Sequence, residues 1–309
     1  MIARYRREIS VTVANALLLG ILAVAAPGFF KPQQLQAFIV TTAPVLVVAV
    51  GMTLVMLTRQ IDISVGSQFS LLGIIAGLLS AAGCPMPVVI ILTIVCGMGF
   101  GAINGTLVAI WGLPPIVVTL AMMVILRESL GWWREGEFVR NLPDGFQWFG
   151  AGQDAGQWIV VAAAVLILLL FSWALRYLPL GRAVYATGSA PEAARLMGIR
   201  PRAVVFSVFT VMGGLVGLAS LLNDVRFASV DPKSGQGLEL QAIAAVVVGG
   251  TAVSGGRGTL LGTLIGVLLL GSIGPALVHL HAPPQWEKAI QGAIILLAVA
   301  SDAFRKEHN

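Results

Sequence analysis

Residues 63–126, ISVGSQFSLLGIIAGLLSAAGCPMPVVIILTIVCGMGFGAINGTLVAIWGLPPIVVTLAMMVIL, contain no Asp, Glu, Lys or Arg. A spanning helix needs about 20 predominantly apolar residues. Broken near Gly83–Pro87 and Gly112–Pro115, this stretch has room for three crossings, at about 65–83, 86–110 and 115–131. Hydrocarbon offers no partner to backbone N–H and C=O groups, so a segment of this composition must satisfy them internally as helix.

The rest of the chain repeats the pattern. Uncharged runs cover 32–58, 155–175, 203–223, 240–256, 258–286 and 289–301, and add spans at about 9–26, 36–57, 158–176, 204–222, 240–253, 258–280 and 285–302. Hydrophobic residues make up 57% of the 309 residues and charged residues only 11%, against about 25% in soluble domains. Such a chain lacks the polar surface to cover itself in water. Soluble enzymes, disordered chains and secreted disulfide scaffolds are excluded. The expectation is an all-α polytopic membrane protein of about ten helices, forming one domain over 1–309. The basic, then apolar N-terminus reads as a retained first anchor, because a small-x-small cleavage site before Pro27 is missing.

The formal charge of +5 suits orientation better than nucleic acid, since the basic residues fall between the apolar runs. With the N-terminus in the cytoplasm, twelve of the nineteen Lys and Arg residues lie inside, Arg59, Arg176, Arg182, Arg195, Arg200, Arg202 and Arg257 among them. Both termini are then expected inside. The aromatic-rich stretch 132–157 becomes the largest external loop, with Trp132, Trp133, Trp148 and Trp158 at the interface. Spans 2–5 and 7–10 run in opposed directions, the parity of an inverted repeat. Glycines at Gly97, Gly99, Gly101 and Gly105, and at Gly262 and Gly266, form small faces for close helix approach. Cys84 and Cys96 offer neither a disulfide framework nor a metal spacing. His279 and His281 have no third ligand nearby, so no metal site is expected.

The longest cytoplasmic connection, about 177–203, reads YLPLG over 177–181 and RAVYATGSAPEAARLMGIRPRA over 182–203. Ser189 can cap a helix, Pro191 suits its first turn, Glu192, Ala193, Ala194, Arg195, Leu196 and Met197 favour it, and Gly198 stops it. A short rigid helix outside the lipid is suited to transmitting a push, with Ala193, Ala194 and Met197 on one contact surface and Glu192 and Arg195 at its rim; an ordinary amphipathic loop helix has the same composition.

Three blocks resemble one family: GMTLVMLTRQIDISVGS at 51–67, the stretch 181–199 in which Gly181 leads into RAVYATGSAPEAARLMGI, and GLELQAIAAVVVGGTAVSGGRGTLLGTLIG at 237–266. In this order, over almost the whole chain, they look like the membrane permeases of ATP-binding-cassette importers for monosaccharides, in the branch that serves ribose, xylose, rhamnose and autoinducer 2. The resemblance implies an inverted-repeat permease of the bacterial inner membrane, paired with a second permease copy or paralogue, cytoplasmic ATPase subunits and a periplasmic sugar-binding protein. Residues 189–198 match the family's coupling helix. No Walker motif occurs, so ATP and Mg are expected to be used by the partner ATPase, and no cofactor by this chain.

Within the first block, Arg59–Ser64 interrupts an apolar region. An intramembrane acid is a functional candidate by default, and Asp62 has Arg59 as its nearest partner in sequence. A salt bridge, a helix cap and a gate or pathway role all remain open for it. Ser64, Gln68, Asn104 and Thr119 are the other polar candidates for the path, or for bridges between helices. Gly249–Gly258 reads as a tight re-entrant or hinge turn, and the mixed charges of 135–144 and 223–232 as a face for a periplasmic partner. The opposing function class is a self-sufficient ion-coupled transporter, with Asp62 as its ion carrier. An enzyme is not expected, because paired carboxylates, metal clusters and nucleophile–base pairs are missing from the spans. The LTRQIDIS form and the WEKAIQGAIILLAV end favour rhamnose or autoinducer 2 as substrate.

Overall fold

A computed structural model describes residues 27–280, 282–283 and 285–294, with single residues at 16, 20 and 296. The helices are α1 Pro32–Leu57, α2 Val65–Ala81, α3 Met86–Gly105, α4 Pro115–Arg134, α5 Gly152–Tyr177, α6 Pro179–Ser189, α7 Pro191–Leu196, α8 Pro201–Asp224, α9 Leu238–Val248 and α10 Leu260–His279. A π turn at Thr106–Ile110 extends α3, and residues 286–294 are helical. Proline opens α1, α4, α6, α7 and α8, where its missing N–H costs no bond and its fixed φ fits. No strand forms among the described residues; Val139 and Val230 make an isolated bridge.

Among the described residues, six helices are long and apolar enough to cross a membrane: α1, α3 with its π turn, α4, α5, α8 and α10. Helices α2 and α9 are apolar but shorter. The expected first span at 9–26 lies outside the described residues apart from two single positions, and the last, 285–302, is described only in part. The loop expected at 132–157 is shorter than the aromatic composition suggested. Trp132, Trp133 and Arg134 continue α4 until Glu135 turns left-handed, and α5 begins at Gly152. In the connection expected at 177–203, the sequence reading missed α6, whose buried side, Gly181, Val184, Thr187 and Gly188, holds small residues with Val184 as its one aliphatic side chain.

Helix α1 is the centre of the bundle, with Val47, Val48, Val50, Met52 and Val55 fully buried. It runs antiparallel to α8: Arg226 reaches Thr41 near one end, and Met212 packs at Gly51 ten residues further along α1. The outward faces of α3 and α5 are bare Ile91, Val95, Leu166 and Leu169, the apolar exterior a lipid layer requires.

Helices α3 and α8 also run antiparallel, and glycine decides how closely. A methyl group at Gly97 would strike the Gly213 carbonyl, at Gly101 the Phe209 carbonyl, and at Gly105 the Phe206 backbone; Gly99 faces open space. In α10, Gly262 meets Gly249 and Gly266 meets Ala245. Backbones this close gain dispersion and weak C–H···O contacts that larger side chains would forbid.

The two halves mirror each other. In each, a long helix (α1 or α8) leads through an irregular turn into a short one (α2 or α9). Each short helix packs on the long helix of the opposite half. Asp62 Oδ1 accepts from Ser64 N at 2.9 Å, and Asp231 Oδ1 accepts from Lys233 N at 2.8 Å. Four residues after each aspartate comes a glycine, and these two, Gly66 and Gly235, touch backbone to backbone. The antiparallel α1 and α8 fit the opposed direction expected of the halves.

Candidate functional site

Two arrangements bear on function: a buried polar knot at the start of α2, and a docked helical segment at one face of the bundle.

The knot consists of the five polar residues singled out for the path. Asp62, Ser64, Gln68, Asn104 and Thr119 are all fully buried. Ser64 donates its N–H and its hydroxyl to Asp62 Oδ1. Its Oγ in turn accepts from Gln68 Nε2 at 2.7 Å and from Asn104 Nδ2 at 2.9 Å. Asn104 Nδ2 also lies 3.5 Å from Asp62 Oδ2. Thr119 stands beside the turn, its hydroxyl bonded to the Pro115 carbonyl at 2.9 Å and 3.4 Å from that of Ile61. The knot ties the 58–64 turn and α2 to α3 and α4. Two acceptors inside it, Gln68 Oε1 and Asn104 Oδ1, have no partner. A buried acceptor left unpaired is costly, so this is a polar site with unused capacity.

Asp62 therefore braces the turn that leads into α2, through Ser64, the residue before the helix. The salt bridge with Arg59 does not form. Arg59 takes a left-handed φ of 66° and turns the other way. Its Nε and Nη2 donate to the carbonyls of Gly188 and Ser189, the latter at 2.7 Å. Those carbonyls end α6, where the helix leaves its last acceptors unpaired and its dipole favours a cation.

Around Arg59 the three blocks singled out in the sequence come together. Gly256 N donates to the Leu57 carbonyl at 2.9 Å, and Tyr185 OH to the Gly258 carbonyl at 2.9 Å. Gly255 packs on the Arg59 side chain and Gly256 on Ser189. Both take positive φ, so a turn this tight and this close to its neighbours needs glycine twice over. Residues 249–258 are thus a packed bracket for the segment α6–α7.

Helix α7, Pro191–Leu196, forms where the sequence predicts a short helix over Pro191–Gly198. Its faces differ from the reading in which Ala193, Ala194 and Met197 share one contact surface. Ala194 is 1% exposed and packs into its own chain, while Leu196 is 89% and Met197 74% exposed. Glu192, Ala193, Arg195 and Gly198 are also exposed, and Pro191 is half-buried. By spacing alone Ala194 lies about 100° from Ala193 and about 60° from Met197; its burial, and not the periodicity, puts it on the side that anchors the helix.

Sequence reasoning missed three features. Thr53 and Thr263 join α1 to α10 through a buried hydroxyl pair at 2.7 Å. Asp224 is buried against Gly73 with one oxygen unpartnered. Arg127 in α4 pairs with Glu239 in α9 at 3.3 Å, the ion pair found among the described residues. Glu239 was legible only as an unexpected acid at the edge of an apolar run. His279 bonds its Nδ1 to the Pro275 carbonyl at 2.9 Å; His281 lies outside the described residues.

Residues 34–299 match the family described as branched-chain amino acid transport system / permease component. The chain is 33% identical over 300 residues to an autoinducer 2 import system permease protein of Photorhabdus luminescens, covering 96% of this chain and 89% of that one. It is 35% identical over 295 residues to the ribose import permease protein of Escherichia coli K12, covering 94% and 92%. An autoinducer 2 import system permease protein of Salmonella choleraesuis matches at 33% over 294 residues, 94% of this chain and 85% of the relative. No solved structure matches the chain significantly.

Proposed function

Because this chain belongs to the permease-component family of branched-chain amino acid transport systems, we propose that it is the membrane subunit of an ATP-driven importer for a neutral monosaccharide or an autoinducer 2-like molecule. It is a membrane-spanning transport permease; the substrate, the partners and the direction belong to the proposal. One observation carries the reading furthest: the exposed α7, with bare Leu196 and Met197, is bracketed to the bundle through Arg59, three residues from the Asp62 knot. A helix presenting apolar side chains from a rigid base suits a groove on a partner. An ATPase that grips α7 and closes around ATP would then move the turn from which α2 starts.

Arg59, Arg176, Arg182, Arg195, Arg200, Arg202 and Arg257 gather toward the α6–α7 face, which supports placing that face in the cytoplasm of a bacterial inner membrane. ATP and Mg would be handled by the cassette ATPase docked there, a periplasmic sugar-binding protein would deliver substrate at the opposite face, and a second permease would complete the path. The knot at Asp62, closed in this structure, would serve as part of the gate. A carboxylate held by Ser64 and Asn104 gives little support to a carrier of coupling ions. Two of the relatives are named for autoinducer 2 and one for ribose; rhamnose, favoured by the sequence reading, draws no support from those names.

The test is expression with the cassette ATPase and binding protein of adjacent genes, then uptake of labelled ribose, xylose, rhamnose and autoinducer 2 by membrane vesicles. Accumulation of one of these that stops when ATP is withheld supports the proposal. Uptake that needs neither partner would overturn it.

A further inference from the structure

Helix α4 is apolar enough to cross a membrane, yet it carries Arg127 and Glu128 side by side. Arg127 lies twelve residues, about 18 Å, from the start of α4 and seven, about 10 Å, from its end. Its backbone is therefore set within the apolar layer. The side chain is 36% exposed in the isolated chain. A guanidinium facing hydrocarbon at that depth is expensive, so ionisable groups in spans turn toward protein or a water-filled cavity. Ile125, two residues earlier and about 200° around the helix, is 57% exposed and apolar. Ile125 thus points away from the side of α4 on which Arg127 meets Glu239.

The partner of Arg127 marks the same place from the other half of the fold. Glu239 is the second residue of α9, and its Oε1 receives Arg127 Nη2 at 3.3 Å. Its Oε2 lies against Gly66, at the crossing where the starts of α2 and α9 meet, and has no hydrogen-bond partner. Lys288 packs at Gly237, two residues before Glu239, and Gln236 and Leu240 beside it are exposed. Opposed halves whose short helices begin near one point are the arrangement in which transporters hold substrate.

We propose that Arg127 and Glu239 form a hydroxyl-binding station on the substrate path, open to the space between this chain and the second permease subunit. The inference rests on the importer reading and gives its path a location. The pair is a single long contact, with no bidentate fork, so most of the five guanidinium N–H donors remain available, while the second carboxylate oxygen is buried against Gly66 without a partner and becomes an acceptor where the α2–α9 crossing opens. A donor and an acceptor side by side match vicinal hydroxyls, each of which both gives and takes a hydrogen bond. The opposite charges of the pair cancel, which suits a neutral polyol. The buried Asp62 knot lies beneath this station, since Glu239 touches Gly66 two residues after Ser64.

The test uses the assembled transporter in membrane vesicles, with Cys84 and Cys96 replaced by alanine and single cysteines introduced as Arg127→Cys, Leu240→Cys and Ile125→Cys. The probe is a small water-soluble methanethiosulfonate. We expect Arg127→Cys and Leu240→Cys to react at least tenfold faster than Ile125→Cys; should Arg127→Cys not assemble, Leu240→Cys carries the comparison. Equal, slow labelling at all three positions, in an assembly that still accumulates substrate with ATP, would overturn the station and leave the importer reading intact. Loss of ATP-driven uptake by the cysteine-free parent would instead count against the importer reading.

Discussion

The Arg59 guanidinium donates to the carbonyl of Ser189 at 2.7 Å and so ties the turn after α1 to the residue two before α7. The turn that holds this link also holds Asp62, which bonds Ser64 just before α2. A pull on α7 would thus reach the start of α2 through one side chain and the five backbone residues 60–64. Arg59→Ala should leave the bundle assembled, because α6 keeps its packing under Gly256, but the amount of substrate moved per ATP should fall at least tenfold. Arg59→Lys keeps the charge but lacks the planar fork that reaches two carbonyls, and should fall in between. Parallel assays of hydrolysis and uptake on one vesicle preparation check this; an unchanged ratio in both variants would show that the link carries no motion.

Exposure divides α7 into two sets of substitutions with different outcomes. Leu196→Glu and Met197→Glu place a charge where a partner groove is expected and should abolish co-purification with the ATPase, while the permease itself remains monodisperse in detergent. Ala194→Glu places its charge inside the chain's own packing, where an unpaired carboxylate is strongly disfavoured, and should lower the folded yield before any partner is added. Size-exclusion profiles followed by affinity capture separate the two.

Gly101 and Gly99 belong to the same helix and predict opposite tolerances. Gly101→Ala drives a methyl group into the Phe209 carbonyl, an overpacking that costs about 1–3 kcal/mol. Gly99→Ala meets no neighbour within 4 Å and should be neutral or slightly stabilising, since alanine favours helix over glycine. The apparent melting temperature of detergent-purified protein should fall for the first and hold or rise for the second.

Asp62→Asn keeps one acceptor for Ser64 but removes the charge that strengthens both bonds, a loss of about 1–3 kcal/mol. Uptake should slow, its requirement for ATP should persist, and its dependence on external pH should match that of the unchanged protein. A variant that lost a proton requirement present in the parent would return Asp62 to the role of carrier.

How much of this was written in the sequence differs from element to element. The span limits of α1, α3, α8 and α10 follow from uncharged runs bounded by proline, glycine and arginine, because a lipid layer constrains composition more strongly than water does. The polar candidates Asp62, Ser64, Gln68, Asn104 and Thr119 stood out for the same reason: few polar residues are tolerated in such runs, and those present find one another. Arg59 was misplaced because nearness in sequence suggested a bond to Asp62, whereas the left-handed turn at Arg59 sends its side chain to a segment 130 residues away. The mirrored starts of α2 and α9 were legible only in part. Asp62 and Asp231 stand four residues before Gly66 and Gly235, but the residues between differ, and only the contact of the two glycines reveals the pairing. Ala194 was assigned to the wrong face because a six-residue helix carries too little periodicity to separate inside from outside.

The most direct test of the central claim is uptake by proteoliposomes containing this chain alone, compared with proteoliposomes containing the full assembly with its ATPase and binding protein. Each is given a proton gradient, a sodium gradient or internal and external ATP in turn. The account predicts concentrative uptake of labelled substrate only in the full assembly, and only when ATP is present on the α6–α7 face. Accumulation by the chain alone, driven by either gradient, would contradict it.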